Sequence, residues 1–459
     1  MQVASIFRTL TVIFAALLLS FAANASDYAQ WLSEAYPADG PGAAAIVVKD
    51  GEVLYRDASG MADMELSVPL SADNVFRIGS ISKQFTAAAI LLLEEQEKLS
   101  VSDDINTYLP DFPTHGHTIT IEHLLTHSSG IFDYTNIPGY FDGVAIRKDV
   151  TTEELIAVFA NLPMDFAPDD EFRYSNSGYV LLGAIIEEVS GQSYADFMQT
   201  EVFDRLELQN TSHGGLQLVP GRAHGYAGTP GKYENAGFLS MTQPHGAGAL
   251  LSTVDDMAKW AKALFGGEFL TKASLDKMTA EHKLHNGEYT GYGYGLVVGE
   301  RFGKQEIWHN GGIHGFASWG IWIPEQEIYV VVLSNSEDIS PGYIAAQMAF
   351  DAAGAEYPHF TAIALDTKIT SDYLGVYRIN DQDTRSVTAE DGHLYTQHSR
   401  GSRSEIFAHD EDAFFYPNSF THLTFDRDSN GRVVSMSVYQ GGADTGEPAE
   451  RISDSADDK

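Results

Sequence analysis

The apolar positions of the chain fall into three successive textures. Residues 43–57, AAAIVVKDGEVLYRD, alternate apolar and polar residues around Lys49-Asp50-Gly51, which predicts a β-hairpin. From residue 76 to about 290 the apolar spacing is mostly 3.6, as in TIEHLLTH, TTEELIAVFANL, SGYVLLGAIIEEVSG and TVDDMAKWAKALF, which predicts helices punctuated by Gly and Pro. GYGYGLVV, KQEIWHN, FASWGIWIP and IYVVVLSN then follow closely, rich in β-branched and aromatic residues, and predict strands, with a helix after them at GYIAAQMAFDAAG. Strands at both ends with helices between them imply an α/β-type (α+β) domain whose sheet is assembled from distant segments.

After about residue 366 the pattern shortens. YLGVYRI, RSVTAEDGHLYTQ, SEIFAHDEDAFFYP and HLTFDRDSNGRVVSMSVYQ alternate over brief spans with Asp-Gly and Asn-Gly turns. They predict a small antiparallel β domain, sandwich or barrel. The closing GEPAERISDSADDK reads as a solvated tail.

The first 25 residues depart from all of this. One cation (Arg8), an apolar stretch and a small-x-small end at Ala23-Asn24-Ala25 predict a cleaved secretory signal with Ser26 as the mature N-terminus. The expected domains are therefore 26–365 and 366–459, in a periplasmic or secreted protein with no stable membrane insertion after cleavage. Charge sharpens the picture: 28 Lys+Arg against 64 Asp+Glu give −36, a surface that repels nucleic acid and anionic lipid. The absence of Cys excludes disulfides, thiolate nucleophiles and Cys-based metal sites.

Candidate chemistry begins at FRIGSISKQFTAAAILLL, residues 76–93. Ser80 and Lys83 are three apart, hence on one face of a helix. Burial of the turns that follow would depress the lysine's pKa and let a neutral amine take the serine proton. Spacing alone leaves this open, because Ser80 could equally cap the helix with Lys83 solvated, and Ser274-Leu275-Asp276-Lys277 has the same spacing in charged surroundings. Tyr-x-Asn occurs at 134–136, 174–176 and 233–235, and His-Asn-Gly at 285–287 and 309–311. Context selects Tyr174 and Asn176, in the turn entering a strongly amphipathic helix, and His309, which ends an alternating strand; rigid elements suit a site better than loops. His123 and His127, four apart, lack the glutamate of a zinc-protease motif and read as packing. His282 and His285 read as a solvated face, Trp308, Trp319 and Trp322 as core or pocket wall, and Tyr292 and Phe316 as candidates for substrate contact.

FRIGSISKQFTA, ITIEHLLTHSSGI, FRYSNSGYVLLGAIIEEVSGQSYADFM, GAGALLSTVDDMAKW, YGYGLVV and WHNGGIHGFASWGIWIPEQEIYVVVLSN together resemble the serine β-lactamase and penicillin-binding protein superfamily. The class C-like branch, with its DD-peptidases, D-aminopeptidases and esterases, is the most similar. The likeness keeps the family's order over roughly residues 40–350. It implies the β-lactamase/transpeptidase-like fold, an antiparallel sheet flanked by helices plus a helical subdomain, and a small lipocalin-like β domain after it. It further implies Ser80 as acylated nucleophile, Lys83 as its base, Tyr174 as proton carrier to the leaving group, and Asn176 holding the substrate amide. Asn310, Gly311 and Gly312 would complete the substrate strand, with the N–H groups of Ser80 and Gly312 as oxyanion hole. Whether Lys83 or Tyr174 is the formal base stays open at this level. Class C β-lactamases usually carry Lys-Thr-Gly where this chain has His309-Asn310-Gly311, and a neutral histidine supplies no fixed charge for a β-lactam carboxylate. The implied activity is a serine hydrolase, without metal or cofactor, on peptides or amides of D-amino acids, with a carboxylesterase, a weak β-lactamase or a non-catalytic binding protein as the alternatives.

Overall fold

The computed structural model describes residues 25–141, 143–365 and 370–453. The expected signal therefore lies outside the described residues except for Ala25. Two compact units result: residues up to 300 with 305–353, and residues 301–304 with 354 onward. Among the described residues no helix is long and apolar enough to cross a membrane.

The first unit is built on a six-stranded sheet. In chain order its strands are β1 (Ala43–Lys49), β2 (Glu52–Ser59), β3 (Val297–Arg301), β4 (Lys304–Ile313), β5 (Phe316–Ile323) and β6 (Ile328–Ser334), and in space they run β3-β4-β5-β6-β1-β2. The predicted hairpin β1–β2 joins the later strands by antiparallel pairing of β1 with β6, Ala43 opposite Ser334 and Lys49 opposite Ile328. All seven residues of β6 are buried, as fits a central strand covered on both faces. Trp319 and Trp322 show the two covers. Three apart on a strand, they point to opposite faces. Trp319 meets Gly342 at the start of a helix, Gly342–Ala352, whereas Trp322 stacks at 5.0 Å on Phe265 of another, Val254–Phe265.

The helical part surrounds one buried helix, α1 (Ser82–Glu95), whose residues 82–93 are all buried. Its polar side chains are paired internally: Gln84 accepts from the Trp260 indole at 2.8 Å, Thr86 donates to the Gly246 carbonyl at 2.7 Å, and the Ser82 hydroxyl accepts from the Leu250 N–H at 3.1 Å. A helix apolar nearly all round is stable only inside a core, and each internal polar group requires a partner there. Packed against it is α2 (Asn176–Ser190), started by Ser175, whose side chain accepts from Gly178 N–H, and ended by Gly191 at φ +70°.

The second unit contains a closed eight-stranded antiparallel barrel, from Gly375–Arg378 to Glu447–Ser453. Tyr373, Tyr377, Phe414, Phe425 and Met436 are among the side chains of its core. One expectation fails here. The supposed solvated tail supplies the closing strand: Tyr377 pairs with Arg451 and Met436 with Ala449, and Ala449 is buried. Few apolar residues suffice in that strand because it buries one face and gains two ladders of backbone hydrogen bonds.

Candidate active site

Ser80 sits in a single 3-10 turn, Gly79–Ile81, which runs directly into α1. No side chain caps either helix, so Ser80 is not an N-cap. Lys83 is wholly buried rather than solvated. Its amine reaches the Ser80 hydroxyl at 3.1 Å, Asn176 Oδ1 at 2.8 Å and the Ala247 carbonyl at 2.9 Å. Burial pulls the Lys83 pKa down to about 7, opposed by the nearby Asp133 carboxylate. A neutral amine is thus available at neutral pH.

Tyr174 completes the cluster from the turn before α2. Its ring faces the Lys83 amine at 4.7 Å, and its hydroxyl is hydrogen-bonded to Ser80. Burial raises its pKa far above the usual phenol range, with the Ser80 bond opposing, so it is a neutral phenol where Lys83 titrates. Burial thus acts in opposite senses on the two groups, lowering the Lys83 pKa and raising that of Tyr174. Around Tyr174 stand the rings of His127 at 4.2 Å and His309 at 6.2 Å.

His309 is buried in β4, with both ring nitrogens engaged. Nδ1 lies 2.6 Å from the Asn310 carbonyl, which can only accept, so Nδ1 carries the proton and Nε2 accepts from the Tyr292 hydroxyl at 2.9 Å. Burial, with help from Lys83, lowers its pKa to about 3. His309 is therefore a neutral wall of the site. Tyr292, a candidate for substrate contact, stands buried behind it instead. Asn310 opposes Trp319 and Gly311 opposes Ser318, so Asn310 faces the Trp308–Trp319 side and His309 the side of α1.

Glycines bring the strand to the nucleophile. A Cβ on Gly311 would lie 2.0 Å from the Ile78 carbonyl, and one on Gly79, at φ +51°, would lie 3.0 Å from the Gly312 nitrogen. Ser318 fixes the approach by donating to Ile78 O at 2.8 Å. Gly312 thus presents its N–H beside the Ser80 turn.

Two contributors were not legible in the sequence. Asp133, buried, accepts from Asn176 Nδ2 at 3.1 Å and from the Thr135 hydroxyl at 2.9 Å. It thereby turns the Asn176 amide so that its oxygen faces Lys83. Its signal was the Asp133-x-Thr135 turn inside a rejected Tyr-x-Asn stretch. The Ala247 carbonyl is the other, since a backbone acceptor leaves no residue-type signal. His127 packs as expected, with Nδ1 accepting from Ser175 N–H at 3.0 Å. His123 instead caps its own helix with Thr120.

Of the rejected stretches, that at Tyr134 borders the site through Thr135, which accepts from Asn176 Nδ2 at 3.4 Å, and the second Ser-x-x-Lys does not. Lys277 pairs with Glu94 at 2.8 Å, and Ser274 is buried rather than exposed. The Tyr134 hydroxyl donates to Gln243 O at 2.7 Å. His282 and His285 are not simply solvated, because Asp169 comes within 2.8 Å of His282 and Asp170 within 3.2 Å of His285. Those carboxylates come from a segment over a hundred positions away, beyond any local spacing rule.

A serine, a buried lysine and a tyrosine in mutual contact at a helix start, beside a glycine-rich strand, define a serine hydrolase of the β-lactamase-related type, and the Beta-lactamase family matches this chain over residues 30–353. The chain belongs to that family. Residues 361–453 match a domain of unknown function, DUF3471. Penicillin-binding protein 4* of Bacillus subtilis (strain 168) is 32% identical over 87% of this chain and 93% of its own length. A D-aminopeptidase of Gluconobacter oxydans (strain 621H) is 27% identical over 77% of this chain and 66% of its own. Among solved structures, the octameric penicillin-binding protein homologue from Pyrococcus abyssi superposes with a TM-score of 0.66 and 26% identity, over 94% of this chain and 99% of that one.

Proposed function

We propose that the protein hydrolyses amide or peptide bonds next to D-amino acids through an acyl-enzyme on Ser80. The observation that carries this reading is the buried Lys83 amine, 3.1 Å from the serine hydroxyl and neutral in half the molecules near pH 7. In the reaction the amine takes the Ser80 proton as Oγ attacks the carbonyl carbon. The N–H groups of Ser80 and Gly312 receive the oxyanion. Collapse breaks the C–N bond, and the proton passes from Lys83 by way of the Tyr174 hydroxyl to the leaving amine. Water then attacks the ester, loses its proton to Lys83, and collapse breaks the C–Oγ bond to release the acid as Lys83 returns that proton to Ser80 Oγ.

The preference for D-substrates is supported by the D-aminopeptidase relative. Neutral His309 disfavours an efficient β-lactamase, since it offers no charge to a β-lactam carboxylate. Export to the periplasm or medium is part of the proposal, on the strength of residues 1–25; fractionation of the producing cells tests it.

The test of the chemistry pairs a fluorophosphonate label, read by intact-protein mass, with a rate comparison of D-alanyl and L-alanyl p-nitroanilides and a short p-nitrophenyl ester. Labelling of wild type but not of Ser80→Ala, with faster turnover of the D-anilide, is expected. Equal mass for both proteins after labelling would overturn the acyl-enzyme, and turnover of the ester alone would make the protein an esterase.

A further inference from the structure

A cavity of about 830 Å³ in the first unit contains none of Ser80, Lys83, Tyr174, Asn176 or His309. It nevertheless borders the nucleophile on two strands. Arg77, three residues before Ser80, lines it, as do His314, in the turn after β4, and Phe316, the first residue of β5. His314 lies two residues past Gly312, where β4 turns back into β5. Neither Tyr174 nor His309 lines it, so with the leaving group at Tyr174 this cavity is left for the acyl part of the substrate.

Its walls have a definite chemistry. Leu216 and Phe238 are large apolar side chains left exposed, at 93% and 62%, and both line the cavity. Arg77 lies over the face of Phe316 at 5.8 Å, and its one hydrogen bond runs 3.5 Å to the His314 carbonyl. Burial and the neighbouring Arg222 lower its pKa to about 10, which leaves it charged at neutral pH. Arg222 lines the same cavity. Among the described residues neither guanidinium has a carboxylate within ion-pair distance, although the chain carries 64 acidic residues. Asp63 and Asp149 also line the cavity, but each is engaged locally, by the Leu66 N–H at 2.8 Å and the Ser240 hydroxyl at 2.5 Å. Two adjacent like charges, one of them largely desolvated, are costly without an anion between them.

We propose that this cavity is the acyl-side subsite, and that it selects acyl groups ending in a carboxylate beyond an apolar stretch, with the carboxylate held between Arg77 and Arg222. The inference rests on the hydrolase reading above for its orientation. It makes the enzyme selective for acidic acyl donors despite a net charge of −36 that would otherwise repel them.

The experiment compares N-glutaryl- and N-pentanoyl-D-alanine p-nitroanilides, which differ in the terminal carboxylate. Wild type is expected to favour the glutaryl substrate in kcat/KM by about tenfold, the size of one charge-assisted hydrogen bond, and 0.5 M NaCl should erode the preference. The ratio should fall toward one in Arg222→Gln and in Arg77→Gln, and stay in Lys272→Gln, a charge control whose amine pairs with Asp276. A wild-type ratio within twofold of one, or a ratio that survives both arginine substitutions, overturns the proposal. Calorimetric titration of Ser80→Ala with glutaryl-D-alanine and pentanoyl-D-alanine reads the same selectivity without turnover. Selective binding there with no acylation of wild type would refute the hydrolase reading alone, and equal or absent binding would refute the subsite.

Discussion

Replacing Lys83 by methionine keeps the side chain's bulk and removes its amine, which isolates the energetic consequence of burying that group. In the folded protein the amine titrates near 7 against an ordinary value of 10.5. Between those values the unfolded chain holds a proton that the folded chain lacks, so wild-type stability rises with pH, by up to about 1.4 kcal/mol per unit. From pH 7 to pH 9 the gain works out at about 2 kcal/mol, and below pH 6 the contribution flattens because both states are protonated. Lys83→Met lacks this slope. Its offset from wild type is a separate matter, since the Asn176 oxygen and the Ala247 carbonyl lose a donor at about 1–3 kcal/mol each while the desolvation cost disappears. Guanidinium unfolding followed by tryptophan fluorescence is the assay, because all five tryptophans lie between Trp31 and Trp322, in the unit that holds Lys83. Parallel stability curves for the two proteins between pH 6 and 9 would refute a depressed lysine.

The acid limb of kcat/KM should fall near pH 7, activity being lost as pH drops and Lys83 gains its proton; a pH–rate profile with a limb near 4–5 would point to a carboxylate base instead. Asp133→Asn should move that limb to lower pH, because Asp133 raises the Lys83 pKa, and should lower kcat by freeing the Asn176 amide; a fall in kcat with the limb unmoved would reduce Asp133 to a structural part. The charged and titratable groups that face Lys83 are Asp133, Tyr174, Tyr179, His127 and His309. Gly79→Ala should cost about 1–2 kcal/mol of stability through its positive φ, and about 10²-fold in kcat by pushing on Gly312, checked by unfolding and single-turnover rates; wild-type acylation would argue against an oxyanion hole there.

Much of the first unit was legible because its signals are local. The hairpin at Asp50-Gly51, the apolar run after Lys83 and the amphipathic run after Asn176 each announce themselves within a few residues. Context chose between repeated motifs by rigidity, and in the structure Tyr174 and His309 stand on a helix entry and a strand near Lys83, whereas His285 is on an exposed loop. What stayed hidden depends on chain meeting chain. Asp133 acts through an amide 43 residues away, and Asp169 reaches His282 across 113. The closing strand of the barrel was missed because Glu447–Ser453 buries little beyond Ala449, and ladder hydrogen bonds leave no mark on residue type.

That strand also sets an order of events during synthesis. The barrel cannot close until the residues that pair with Gly375–Arg378, at the far end of the barrel segment, have left the ribosome. The central strand of the first unit has a similar wait, since Ala43–Lys49 finds its partner only at Ile328–Ser334. Loop closure over such spans is slow relative to local helix formation. The nascent chain therefore carries each sheet incomplete, its early strands unpaired on one edge, until the late partner strand emerges.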